Sequence, residues 1–250
     1  MALAGHDVGL FGEIRLPLHL LKKNCRMNSL KLFLLALSLA VQAGASAQDY
    51  FDVMPMRCHE ARGGVDFAAE VDVPVGGGEA VMREAKRWIC GVLGVDEAPD
   101  ADADAFGKLL ERAAADYMGE VTGGKRSVKV TWSYEDPTCV TFEAEVADRD
   151  SVVWTTADVA TFSKRDGHRV DASEVFACDE KQIKRLMWSA RGNLPMEVSR
   201  PDDLYVGSVG FIDGWVIVVG PARGTSGAEF KIRYSDAEKW LVPGGEGYLP

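Results

Sequence analysis

Val128-Lys129-Val130-Thr131-Trp132-Ser133-Tyr134-Glu135-Asp136-Pro137-Thr138-Cys139-Val140-Thr141-Phe142-Glu143-Ala144-Glu145-Val146 holds two runs of alternating character around one turn. Val128, Val130, Trp132 and Tyr134 interleave with Lys129, Thr131 and Ser133, and Val140, Phe142, Ala144 and Val146 interleave with Thr141, Glu143 and Glu145. A period of two puts one set of side chains on each face of a strand, so each run is a strand with one apolar and one polar face. Asp136-Pro137 turns the chain between them. Strands joined so briefly pair antiparallel, because a parallel return needs a crossover of a dozen residues or more.

Working outward, Asp148–Asp150 turns the chain into Ser151–Phe162, rich in β-branched and aromatic residues. Upstream, Arg62–Val75 alternates Val65, Phe67, Ala69, Val71, Val73 and Val75 with smaller or charged residues, and Gly76-Gly77-Gly78 ends that strand. Glu79–Val95 carries Val81, Met82, Ala85, Trp88, Ile89, Val92 and Leu93 at helical spacing, with Gly94 placed to cap its end. A second helix presents Phe106, Leu109, Leu110, Ala113 and Tyr117. Asp179 opens a third, with Ile183, Leu186, Met187 and Ala190 as its stripe. Leu204–Ile212, the turn Asp213-Gly214, Trp215–Val219 and Ala228–Tyr234 read as strands, and Ser235 with Glu238 reads as a capping box for a last short helix. Helices and hairpins are segregated, which predicts an α+β fold: an antiparallel sheet with helices packed on one face, in two sequential sub-domains, 48–150 and 151–250.

Met27–Ala47 fixes where such a chain works. Lys22, Lys23, Arg26 and Lys31 precede or open an apolar run, Leu32–Val41, and Ala45-Ser46-Ala47 supplies small residues for cleavage. That order is a signal peptide, and the run is shorter than the ~20 apolar residues that span a bilayer. The expected product is exported, periplasmic or secreted, begins at Gln48 and has no membrane span. Met1–Arg26 contains Asp7, Glu13 and Pro17 and reads as a start-site artefact upstream of a leader beginning at Met27.

The full sequence carries 28 basic and 38 acidic residues. Removing 1–47 takes away five basic and two acidic residues and leaves 23 against 36, a net charge of −13. Such a surface repels nucleic acid and anionic membranes. Cys58, Cys90, Cys139 and Cys178 remain; an even number outside the cytoplasm predicts disulfides, with three connectivities open. No two lie close enough in sequence for a zinc knuckle.

Chemistry-bearing motifs are sparse. Asp100, Asp102, Asp104 and Glu111 fall at positions 1, 3, 5 and 12 of a calcium loop. Ala105 stands where that loop needs its Gly, and Lys108 brings a cation beside the metal position, so a capped linker is the favoured reading over a metal site. Gly76-Gly77-Gly78 lacks the Lys-Ser/Thr of a phosphate loop. Only His59 and His168 survive processing, no Gly-x-Ser-x-Gly elbow is present, and no cofactor motif is found. A hydrolase would have to work through His168 or through a pair among the 36 carboxylates.

Val159–Phe176, with Lys164 before the Asp166-Gly167 turn and Phe176 at its end, resembles a segment of a family of extracytoplasmic bacterial domains. These domains occur in lysozyme-sensing anti-sigma factors and beside peptidoglycan deacetylase domains. The helix Lys181–Arg191, the hairpin Leu204–Val219, Pro221, Gly227 and the closing Phe230–Leu241 follow in the family's order. Where the family often has Pro-Tyr-Glu, this chain has Pro221-Ala222-Arg223. The resemblance implies a non-catalytic envelope module that binds a protein or cell-wall ligand, with Pro221, Arg223 and Gly227 in the recognition loop. The rival expectation is an envelope hydrolase acting on cell-wall or glycan substrate.

Overall fold

The Val128–Val146 hairpin lies inside a five-stranded sheet. The structure, a computed structural model, describes residues 50–149, 153–192, 198–220 and 227–243. The predicted leader 27–47 and the preceding 1–26 lie outside them. The strands are β1 (Asp52–Arg62), β2 (Val65–Gly76), β3 (Gly124–Glu135), β4 (Cys139–Arg149) and β5 (Val153–Ser163), in the order β1-β2-β3-β4-β5. Helices α1 (Glu79–Leu93) and α2 (Ala103–Glu120) lie between β2 and β3. They supply a crossover, and β2 and β3 pair parallel where the other three pairings are antiparallel. The all-antiparallel expectation is corrected at that one pairing.

β1 is an element the sequence reading left out. Pro55 interrupts its pattern, and Arg57, His59, Glu60 and Arg62 dilute its apolar residues. Both features suit an edge strand, where a missing N–H harms no ladder and charge discourages further pairing. Gly63 and Gly64, at φ of +62° and +87°, close the two-residue turn into β2. A register shift between Asp52 and Val53 inverts the end of β2, so Pro74 is buried and Val75 is exposed, against the simple alternation.

One face of the sheet meets both helices. Phe67, Val71, Val128, Val130, Phe142 and Phe162 pack there against Ala85, Ile89, Phe106, Leu110 and Ala114. At ~25 cal/mol per Å² of buried apolar surface this interdigitation dominates the stability of the first sub-domain. Asp102 starts α2 by accepting from the Ala105 N–H at 2.8 Å, and Gly94 ends α1 in the left-handed region.

The second sheet is a meander of β6 (Ser208–Ile212), β7 (Trp215–Gly220) and β8 (Ala228–Arg233). Ahead of it come α3 (Ala172–Val175) and α4 (Glu180–Ser189), the latter capped by Asp179 as expected. Val216, Val218, Phe230 and Ile232 face Ile183, Leu186 and Met187, while Ile217 and Val219 turn the other way, onto Val159 of β5. β7 is therefore covered on both sides, which accounts for its unbroken apolar run. The closing helix α5 (Tyr234–Ala237) starts a residue before Ser235, and its N-cap, Arg233, makes no side-chain cap, so the Ser235–Glu238 box is not formed. β5, assigned from sequence to the half beginning at 151, is the edge strand of the first sheet. Among the described residues no helix is long and apolar enough to cross a membrane.

Candidate functional site

The polar face of the β3–β4 hairpin is the floor of the site. Lys129 stands opposite Glu145, Thr131 opposite Glu143, and β4 in turn sets Glu143 beside Val159 and Glu145 beside Ala157. The period of two that sends Val130, Phe142 and Ala144 to the helices sends these side chains to the opposite face. Continued leftward, the same row reads Arg57, Glu70, Lys129, Glu145 across four strands, a ladder of alternating charge. Arg57 and Glu70 close an ion pair at 2.7 Å, and His59 and Lys125 both meet Asp66 at 3.1 Å.

The second sheet crosses this face over β4 and β5. At the crossing Thr141 and Thr161, both fully buried, hydrogen-bond each other at 2.8 Å. Thr161 Oγ1 donates to the Val209 carbonyl at 3.2 Å, and the Phe211 N–H donates to Thr141 Oγ1 at 3.3 Å. Each buried hydroxyl is thus satisfied, as burial without water demands. Gly210 lies between those contacts: a Cβ there would stand 2.2 Å from Val159 Cγ2 and 2.9 Å from Thr141 Cγ2. Only a residue without a side chain lets the sheets approach so closely.

Beside the crossing the two sheets leave a cleft of about 270 Å³. Lys129, Glu143, Glu145, Asp158 and Glu229 supply its charges; Ala157 and Val219 edge it, and Val159 and Ile217, fully buried, close its floor. Glu229 is engaged by Lys231 at 3.0 Å. Among the described residues Lys129, Glu143 and Glu145 enter no ion pair. Asp158, also at the cleft, ties three elements together: it accepts from Trp88 Nε1 of α1 at 2.9 Å, from Ser208 Oγ at the start of β6 at 2.5 Å, and from Arg169 at 3.1 Å. Among the described residues the polar lining of the cleft is Lys129, Thr131 and four carboxylates, with no Ser, Cys or His.

The residues singled out from sequence are dispersed. His168 is clamped through both ring nitrogens, Nδ1 to Asp166 at 2.5 Å and Nε2 to Glu174 at 2.9 Å. The hydrogen bond to Asp166, seconded by Glu174, holds its pKa above the ordinary histidine value. A ring so held closes the Asp166-Gly167 turn onto α3, whose own cap uses Glu174 on the Asp171 N–H. The calcium-loop residues part company: Asp102 caps α2, Asp104 is already within the helix, Asp100 pairs with Arg83 at 3.6 Å, and Glu111 lies one face further along α2. Among the described residues no three His, Cys, Asp or Glu side chains gather as for a metal.

Pro221 and Arg223 lie outside the described residues. Gly227, at φ +147°, sits against β5, where a Cβ would be 3.4 Å from the Ala157 carbonyl oxygen. Ala157 lines the cleft, so the end of the expected recognition loop reaches its margin. The predicted disulfides are corrected: Cys58, Cys90, Cys139 and Cys178 are all free thiols. Cys58 and Cys90 pack in the first core and Cys139 and Cys178 in the second, each as a small apolar filler, and burial raises all four thiol pKa values. Sequence reasoning missed Lys129, Glu143, Glu145 and Glu229. Their signal was present as the polar phase of strands, but a polar phase ordinarily means plain solvent, and nothing local shows that a second sheet overhangs it.

No family model and no curated protein matches the sequence. The fold is similar to that of a DUF3298-family member from Bacteroides fragilis, with a TM-score of 0.58 at 10% identity over 78% of this chain and 95% of that one. A DUF3298-family protein from Pseudomonas aeruginosa aligns with a TM-score of 0.49 at 11% identity, over 79% and 97%. At such identities the likeness is one of fold.

Proposed function

We propose that the protein is an exported, non-catalytic module of the bacterial cell envelope that binds a protein or cell-wall ligand. The observation that carries this reading is the cleft between the sheets, where Lys129, Glu143, Glu145 and Glu229 are gathered on rigid strands around one concave mouth. Charges held on a sheet are pre-organised for an external partner, and an ordered scaffold keeps the entropic cost of binding low. The leader-like Met27–Ala47 supports export. The pattern of Val159–Phe176 and the elements after it supports kinship with the domains of lysozyme-sensing anti-sigma factors and peptidoglycan deacetylases. The clamp on His168 disfavours that residue as a general base, since both nitrogens already face carboxylates.

The experiment is expression of the full chain with a C-terminal tag, followed by fractionation, N-terminal mass spectrometry and recovery on purified peptidoglycan or with cross-linked envelope proteins. We expect a chain starting at Gln48, outside the cytoplasm, that retains an identifiable envelope ligand. Cytoplasmic material with an intact Met1 or Met27, or exported material that retains nothing, would overturn the proposal.

A further inference from the structure

We infer that the outward face of α4 docks a short acidic segment of a partner protein. This surface is independent of the cleft, because β7 lies between them: Val216 and Val218 face α4, whereas Ile217 and Val219 face the cleft.

Two stripes divide the helix. Ile183, Leu186, Met187 and Ala190 recur at i, i+3, i+4 and i+7 and pack into the second core. Lys181, Lys184, Arg185 and Trp188 recur at the same intervals two residues earlier, about half a turn round, and so point outward. From Lys181 to Gly192 the chain carries four cations and no carboxylate, in a sequence with 38 acidic and 28 basic residues. Glu180 closes on Lys184 at 2.8 Å, and among the described residues no carboxylate pairs with Lys181, Arg185 or Arg191.

Two aromatic rings brace these cations. Lys184 Nζ lies 5.4 Å from the centroid of the Tyr205 ring, and the Arg191 guanidinium lies 3.8 Å from that of Trp188. Tyr205 is 54% exposed, and Trp188, on the outward stripe, is half-buried at the margin of the core. Trp, Tyr and Arg are the residue types that anchor protein interfaces. Here they stand on a helix fixed by its core stripe and by the Asp179 cap.

The layout selects the partner. The cations are strung over ~15 Å of axis rather than converged on one point, so a lone phosphate or carboxylate meets only one or two of them. About five residues of extended chain cover that length at ~3.3 Å each, with carboxylates for Lys181, Arg185 and Arg191 and an apolar side chain for Trp188 and Tyr205. Charge sets the upper limit on size. The field of exposed charges fades over ~8 Å at physiological salt, so a short segment feels the stripe alone. An anionic membrane or a long polyanion also meets the acidic remainder of 48–250, whose net charge is −13.

The test is an NMR titration of the purified full chain with acetyl-Glu-Leu-Glu-Glu-Phe-Glu-amide, its all-glutamine counterpart, phosphatidylglycerol vesicles and inorganic polyphosphate. The glutamate peptide should move the amides of Lys181–Arg191 and the Trp188 indole saturably, and the glutamine peptide should not. Lys181→Gln with Arg185→Gln should weaken binding at least about fivefold. Arg62→Gln with Lys108→Gln removes the same charge from exposed positions in the first sub-domain and should change it less than about twofold. The inference falls if the glutamate peptide leaves those signals unmoved, if the glutamine peptide binds equally well, or if both double variants weaken binding alike. It also falls if vesicles or polyphosphate bind the face more tightly than the peptide does.

Discussion

Asp166, His168 and Glu174 show how three titratable groups can brace a turn. The hydrogen bond that His168 donates to Asp166, with Glu174 behind it, raises the folded-state pKa of His168 above the ordinary ~6.5. A raised histidine contributes stability fully below its unfolded pKa and loses it as pH climbs through the folded value. Asp166 is shifted the other way, down, by the same hydrogen bond, so its contribution is present above the ordinary carboxylate pKa and lost in acid. The window of the clamp therefore runs from about pH 4 up to the raised histidine pKa. His168 is two-fifths exposed, so solvent screening limits its part to roughly 0.5 kcal/mol. Urea midpoints for wild type and His168→Gln should differ at pH 5 and converge by pH 8.5; an equal gap at both would reject the clamp. At this scale the sequence was legible where the signal is local. Asp179 was readable as a cap, and the cap of α2 was narrowed to Asp102 or Asp104, because a cap is a relation between residues three apart. The burial of the Thr141–Thr161 pair was not, since the β4–β5 ladder sets the two side by side but nothing in it shows that β6 lies over them.

Strands and helices were readable from periodicity, and their neighbours only where a short turn joins them. The β3–β4–β5 meander and the β6–β7 hairpin follow from short turns, which leave antiparallel pairing as the only geometry. The parallel contact of β2 with β3 spans two helices, so no local pattern announces it, and β1 hides because an edge strand is built from residues that discourage strand pairing. Gly210 is where the elements meet most tightly. Its substitution by Ala would push a methyl to 2.2 Å from Val159 Cγ2, beside a threonine pair that cannot move without losing its hydrogen bonds. Overpacking of this kind costs about 1–3 kcal/mol. Gly210→Ala should lower the urea midpoint accordingly, and it should weaken ligand binding at the adjacent cleft. Chemical denaturation followed by tryptophan fluorescence measures the first effect. A variant within about 0.5 kcal/mol of wild type would show that the sheets slide apart freely there.

At the scale of the whole molecule, two cores share one sheet-to-sheet junction, and each core holds its own pair of thiols. The four cysteines after residue 47 predict bridges on the proposal that the chain is exported, yet chain length already allows a core to stand without them. The structure follows the second consideration: Cys90 and Cys139 are fully buried, and Cys58 and Cys178 are partly so, with no partner sulfur among the described residues. Burial lifts every thiol pKa, which suppresses the thiolate through which oxidation and exchange proceed. The chain beginning at Gln48, unfolded without reductant in the presence of an alkylating agent, should therefore take up four equivalents. Native protein should react first at Cys58 and Cys178, and Cys90 and Cys139 should wait for unfolding. Thermal stability should be unchanged by reductant. Uptake of two equivalents, or a melting temperature that drops on reduction, would mean that the thiols find each other after all, and that the junction between the cores is looser than its threonine and glycine contacts require.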